Sequence, residues 1–133
     1  MEKPKIMIVE DDSDITRALK IRLKANHYDT VDAGDGCSAV SMAQRERPDL
    51  IILDLGLPCG DGFFVLARLK GMTTLANIPV IVLTGNDPEC NEQRVLQAGA
   101  AAFFQKPVSN HQLLHAIRAT LPATSSGSAT SPS

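Results

Sequence analysis

Five short apolar runs recur along the chain, and each is followed by a segment in which apolar residues have helical spacing. Most of the runs are apolar at successive positions, which predicts strands of a parallel sheet covered on both faces. The second run is the least apolar. The five runs are KIMIV (5–9), YDTV (28–31), LIIL (50–53), VIVL (80–83) and AAFF (101–104).

The segments between the runs have the ends expected of helices. Asp and Ser side chains accept hydrogen bonds from the free N–H groups of a first helical turn, whereas Pro and Gly end helices. Ser109 and Gln112 have the spacing of a capping box before the last segment. The predicted boundary residues are Asp12 or Ser13, Pro48, Asp61, Asp87 with Pro88, Gly99, Ser109 and Pro122.

The alternation of strands and helices predicts an α/β fold, a single (βα)5 domain over residues 1–122. Right-handed crossovers make this a doubly wound parallel sheet with helices on both faces. Residues 123–133 contain no charge and no large apolar side chain. We expect them to be a disordered tail or the beginning of a truncated linker.

The composition of the chain is typical of a single globular domain. A chain of 133 residues with 44% hydrophobic and 21% charged residues has the size and balance of one globular domain. It has no membrane-length apolar run and no recognisable signal peptide, so we expect a cytoplasmic location. A net charge of −2 gives no support for nucleic-acid binding. Three cysteines outside any CxxC pattern favour reduced thiols.

Polar residues follow four of the five predicted strands. In an open parallel sheet, ligands bind beyond the carboxyl ends of the strands. A cluster of carboxylates there is self-repelling unless it binds a hard cation such as Mg²⁺. A carboxylate beside such an ion can accept a phosphoryl group, and lysine and hydroxyl groups can hold its oxygens. The residues are Glu10, Asp11, Asp12, Asp54, Thr84 and Lys106.

Four motifs occur in an order that resembles the receiver domain of two-component response regulators. They are IMIVEDD, LIILDLGLPCGDG, VIVLTG and AAFFQKP, and the resemblance extends from residue 4 to about residue 121. It implies a flavodoxin-like sheet with strand order 2-1-3-4-5. It also implies signalling through an aspartyl phosphate that the domain itself forms and loses, without turnover of a separate substrate.

The resemblance assigns roles to individual residues. Asp54 would be the phosphoacceptor. Asp11, Asp54 and the backbone carbonyl of Gly56 would bind Mg²⁺, for which Mn²⁺ is an alternative ion. Glu10 would act on the metal through water, and Lys106 would pair with the phosphoryl oxygens.

Further residues are implied in switching and in the lifetime of the phosphoryl group. Thr84 would turn its hydroxyl onto that group, and Phe103 would then rotate inward, although a plain core aromatic remains the alternative for Phe103. The peptide bond before Pro107 is expected to be cis. Gly56 has no side chain to orient a hydrolytic water and Asn86 has one, so both would tune the lifetime, which we expect to be minutes or longer.

The resemblance also implies partners. A sensor histidine kinase or histidine phosphotransfer protein would dock beside the first helix, whose basic residues are otherwise an ordinary solvated face. An unknown output domain or protein would meet the surface of the fourth helix, fifth strand and fifth helix. We expect no direct contact with nucleic acid or membrane, and a monomer or a phosphorylation-dependent dimer.

The sequence has features of two other functions. Residues 12–16 match D-x-D-x-T, the nucleophile motif of haloacid-dehalogenase-like phosphatases, but no acidic residue follows Glu92 to supply their later carboxylate pair. A receiver-shaped binding module that works without phosphorylation is the second. His111 and His115 have i,i+4 spacing, but no third zinc ligand is evident nearby, so they are interpreted as exposed helix residues.

Overall fold

The computed structural model describes residues 3–56, 62–85 and 92–121. Within these ranges five strands alternate with five helices. Their order is β1 (Lys5–Val9), α1 (Ser13–Ala25), β2 (Asp29–Ala33), α2 (Gly36–Glu46), β3 (Leu50–Asp54), α3 (Gly62–Gly71), β4 (Val80–Thr84), α4 (Glu92–Gln97), β5 (Ala102–Gln105) and α5 (Asn110–Thr120).

The strands form one parallel sheet in the order β2-β1-β3-β4-β5. This confirms the predicted doubly wound, flavodoxin-like fold. The order reverses at β1, which has β2 on one side and β3 on the other. Such a reversal opens a crevice at the carboxyl ends of the strands, because the helices that follow the two strands leave toward opposite faces.

Successive residues of the central strands point into two different cores. Met7, Ile51 and Val82 belong to the core under α2, α3 and α4. Ile8 and Ile52, the next residues along their strands, belong to the core under α1 and α5. Each central strand thus packs against an apolar core on both of its faces. This is why its residues are apolar at successive positions.

Capping residues position α1 and α5 at the carboxyl edge of the sheet. The Asp12 side chain accepts hydrogen bonds from the backbone of Asp14 and Ile15, which confirms Asp12 as a helix cap. The Ser109 side chain accepts one from the Gln112 backbone at 3.0 Å, as the capping-box pattern predicted. Both helices therefore begin directly after segments that carry polar site residues.

The second strand differs from its prediction. It runs from Asp29 to Ala33 instead of 28–31, and most of its residues are only half-buried. The register with β1, which pairs Lys5 with Asp29 and Val9 with Ala33, sets these bounds. Because β2 is an edge strand, it needs fewer apolar residues than the central strands.

The cysteine prediction is also corrected in part. Cys37, in the first turn of α2, is disulfide-bonded, whereas the sequence favoured three reduced thiols. Whether two thiols lie within bonding distance depends on the folded chain, and an odd number of cysteines still permits one pair. Cys59 and Cys90 lie outside the described residues.

Several predicted features also fall outside the described ranges. They are the helix starts at Asp61 and at Asp87 with Pro88, the stop at Pro122, and the tail. Gly99, the predicted stop of the fourth helix, lies two residues after α4 with a φ of 110°, which strongly favours glycine. None of the described helices is long and apolar enough to cross a bilayer.

Candidate functional site

The register of the sheet brings the polar residues together. Val9 pairs with Leu53, so the residues that follow, Glu10 and Asp54, lie next to each other at the ends of β1 and β3. Thr84 pairs with Gln105, so Lys106 follows directly beyond the end of β4. Residues separated by more than 90 positions in sequence thus meet at one edge of the sheet.

Three carboxylates form a cluster at this edge. Glu10, Asp11 and Asp54 each offer an oxygen within 4.8 Å of the others. Glu10 and Asp54 are only 5% and 6% exposed, whereas Asp11 is exposed. The cluster therefore has a buried floor and a side that opens to solvent. Asp12 is not part of it, because its carboxylate caps α1.

Lys106 bridges the two buried carboxylates. Its Nζ lies 2.9 Å from Glu10 Oε1 and 3.3 Å from Asp54 Oδ2. The Lys106 backbone N–H donates to the Thr84 carbonyl at 2.7 Å, which holds the residue at the end of the sheet. The Lys106–Pro107 peptide bond is cis. The Lys106 ammonium group thus lies next to both buried carboxylates of the cluster.

Burial and charge shift the ionisation of this cluster. Burial, with the charge of Asp54 beside it, raises the pKa of Glu10 from 4.5 to about 7, although the bond from Lys106 opposes the shift. Burial alone would lower the pKa of Lys106, but its bonds and charge interactions with Glu10 and Asp54 outweigh that effect and raise it. The site thus holds three carboxylates close together, and the single Lys106 ammonium neutralises only part of their negative charge.

The segment after β3 orients Asp54. The Gly56 backbone N–H donates to Asp54 Oδ1 at 3.0 Å, while Oδ2 faces Lys106. Gly62 at the start of α3 packs directly against this segment, and a Cβ there would lie 2.3 Å from Leu55 Cα. Only glycine permits this approach, so Gly62 is a site-supporting residue that the sequence analysis did not identify.

Thr84 and Phe103 lie on the later strands of the sheet, β4 and β5. Thr84 ends β4 and is 3% exposed. Phe103 lies on the edge strand β5, half-buried, and packs against the core under α2, α3 and α4. Asn86 lies outside the described residues.

The donor atoms suit a hard divalent cation. Carboxylate oxygens are the ligands that Mg²⁺ prefers, and Mg²⁺ normally keeps several waters as well. The open side at Asp11 leaves room for such waters. A cation would also offset the burial and the neighbouring Asp54 charge that together raise the pKa of Glu10, so the chemistry of the residues fits the ion.

Comparisons with known proteins identify the family to which the chain is similar. The family model described as "Response regulator receiver domain" matches residues 6–118. The polar-differentiation response regulator DivK of Brucella anthropi is 34% identical over 87% of this chain and 94% of its own length. The chain belongs to the response regulator receiver domain family. Such a receiver domain is a signalling domain and not a classical enzyme.

Two further similarities extend the comparison. Response regulator PleD of Caulobacter vibrioides is 36% identical to this receiver domain over 86% of the chain. The chain spans only a quarter of PleD and about half of other curated relatives that it matches. A solved structure is the receiver domain of sensor histidine kinase PA1611 from Pseudomonas aeruginosa PAO1, with a magnesium ion in its active site cleft. It has a TM-score of 0.79 and 28% identity, covering 88% of this chain and 96% of that one.

Proposed function

We propose that this receiver domain accepts a phosphoryl group on Asp54 from a phosphohistidine of a sensor histidine kinase or a histidine phosphotransfer protein. The observation that carries the proposal is the position of Lys106, whose Nζ contacts both Asp54 and Glu10 at the open carboxylate cluster. A lysine in this position can neutralise an incoming phosphoryl group while one Asp54 oxygen remains a nucleophile.

In the proposed step an oxygen of Asp54 attacks the phosphorus in line. The P–O bond forms as the P–N bond to histidine breaks, and the imidazole nitrogen keeps the electron pair and takes up a proton. The Gly56 N–H holds one Asp54 oxygen, which aims the carboxylate. Bound at Asp11, Asp54 and the Gly56 carbonyl, with Glu10 acting through water, Mg²⁺ (or Mn²⁺) would neutralise charge on the phosphoryl oxygens.

The proposed output is a change in the surface of α4, β5 and α5. The Thr84 hydroxyl would turn onto the phosphoryl group, and Phe103 would move inward into the space it leaves. The contacts of α4 with the rest of the domain include the buried Val95 and the Arg94 guanidinium, which lies 4.6 Å from the centre of the Phe63 ring. A shift of α4 would alter both contacts, so phosphorylation would bias the domain between two packed states.

The cavity beside α1 supports docking of the phosphodonor there. It has a volume of about 490 Å³, and it extends from Glu10 and Asp11 along α1 to Lys24. Ile21 is 65% exposed and lies among the lining residues. An exposed apolar side chain within a basic helix face suits a partner helix that carries both apolar and acidic residues.

Labelling with a small phosphodonor tests the proposal. The chain of residues 1–133, incubated with acetyl phosphate and Mg²⁺, should gain one acid-stable, hydroxylamine-labile phosphoryl group, measured by intact mass. Asp54→Asn should gain none, and EDTA should suppress labelling of the wild type. Asp29→Asn is the matched control, because Asp29 is an exposed carboxylate at the opposite end of the sheet. Equal labelling of Asp54→Asn and wild type would exclude Asp54 as the acceptor.

The same assay separates the two other functions. A phosphatase would release phosphate repeatedly from an added phosphomonoester. A binding module that works without phosphorylation would remain unlabelled under every condition. Either result would contradict the proposed function.

A further inference from the structure

The outer face of α5 carries two histidines that the proposed signalling chemistry does not use. His111 and His115 are exposed, whereas Leu113 and Ile117 on the same helix are 3% and 0% exposed. At about 100° per residue, the two histidines lie about 40° apart and face away from that buried pair. They therefore project side by side into solvent.

We propose that His111 and His115 bind a divalent transition-metal ion, of which Zn²⁺ is the probe, with water in the remaining positions. Residues at i and i+4 have Cβ atoms about 5–6 Å apart, a separation at which two imidazole nitrogens can reach one ion. The same spacing on one helix face supplies two zinc ligands in the H-E-x-x-H motif. Imidazole suits Zn²⁺, Ni²⁺ and Cu²⁺, whereas Mg²⁺ prefers oxygen ligands.

The residues around His111 and His115 leave both imidazole rings available to bind a metal ion. Within the described residues, neither imidazole has a hydrogen-bond or ion-pair partner. The nearby Arg118 guanidinium extends toward Asn26 of α1, with 3.5 Å between Nη2 and Oδ1. The helix is held at both ends, by the Ser109 cap and by the Leu121 N–H bonded to the Ile117 carbonyl. Metal binding therefore needs no rearrangement of the backbone.

This site would be separate from the carboxylate cluster in place and in chemistry. Soft-to-borderline cations would prefer the imidazole pair, and hard cations would prefer the oxygen cluster. A bound cation would add positive charge to α5, which contains no acidic residue. That face belongs to the proposed output surface, so metal binding would change the charge presented to a partner.

The experiment is a Zn²⁺ titration of the full chain in excess Mg²⁺, followed by NMR of the three imidazole rings. The His111 and His115 signals should shift together with one dissociation constant. His27, exposed and alone in the turn after α1, is the internal control and should not follow them. Equal shifts in all three rings, or no shift in the α5 pair, would overturn the proposal.

Relocating a histidine tests the spacing itself. His111→Asn or His115→Asn should weaken binding at least tenfold, and His27→Asn should not. Adding A119H to His111→Asn recreates an i,i+4 pair on exposed positions and should restore binding. Adding A119H to His115→Asn leaves His111 and the new histidine about 12 Å apart along the helix axis, so this variant should not recover Zn²⁺ binding. Failure of the first double variant to recover, with helical circular dichroism intact, would refute the site.

The result is independent of the proposed phosphorylation. Asp54→Asn should lose acetyl-phosphate labelling and keep the Zn²⁺ response of α5. Loss of both in Asp54→Asn would mean that the zinc lies at the carboxylate cluster, which would contradict a separate site.

Discussion

The ionisation of Glu10 should make the metal-free protein less stable as the pH rises. The carboxyl group ionises near 4.5 in the unfolded chain and near 7 in the folded one, because it is buried beside Asp54. Between these values the folded state binds more protons than the unfolded state. The stabilisation by a protonated Glu10 is therefore complete below 4.5 and is lost as the pH rises through about 7.

The magnitude follows from the two pKa values of Glu10. At roughly 1.4 kcal/mol per pH unit, the gap corresponds to about 3 kcal/mol of unfolding free energy. A glutamine side chain is uncharged at every pH, so Glu10→Gln removes this pH-dependent contribution to the unfolding free energy. In EDTA, the unfolding free energy of the wild type, relative to Glu10→Gln, should fall by about that amount between pH 4.5 and 8.

Urea unfolding of both proteins across this range measures the difference. Glu46→Gln is the control, because a half-buried ion pair with Lys5 lowers the pKa of Glu46 and places its effect on the unfolding free energy below this pH range. Adding Mg²⁺ at pH 8 should stabilise the wild type more than Glu10→Gln, since a cation favours the ionised carboxylate. Parallel pH profiles for wild type and Glu10→Gln would refute the assignment of a strained, buried carboxylate.

Three other predictions, the first with a control variant, test the support of the site and its chemistry. Gly62→Ala should lower the unfolding free energy by about 3 kcal/mol because its Cβ would meet Leu55 at 2.3 Å. Gly71→Ala, with open space around it, should change that energy by less than about 1 kcal/mol, and equal urea midpoints would exclude the clash. Ser109→Ala should cost about 1 kcal/mol in the same assay through loss of the α5 cap, and no change would argue against it. Gly56→Asn should shorten the phosphoryl lifetime, measured by loss of label, because a side chain there begins 3.6 Å from Asp54 Oδ1 and can orient a water; an unchanged lifetime would contradict this.

Local chemistry explains which features the sequence predicted well. Asp12 and Ser109 were recognisable as caps because a cap depends only on a side chain and the next three backbone N–H groups. The central strands were recognisable because a strand covered on both faces must be apolar at every position. The edge strand β2 was misplaced by one or two residues, because its register with β1 is a long-range property.

The residues of the site were foreseeable as a set, but their mutual contacts were not. Polar residues at strand ends indicated Asp54 and Lys106, and the resemblance added Gly56. No pattern along the chain indicated that Lys106 bonds Glu10 directly, or that Gly62 must approach Leu55. The first contact joins residues 96 positions apart that meet only when the sheet assembles, and the second joins the end of β3 to the first turn of α3.

By itself, the order of apolar runs, caps and strand-end carboxylates determined the fold class and the family. The tertiary structure alone decided how close the carboxylates lie to one another and how deeply Glu10 is buried. The reason is that periodicity and capping act within a few residues, whereas burial and charge repulsion depend on segments that are distant in the chain and adjacent in space.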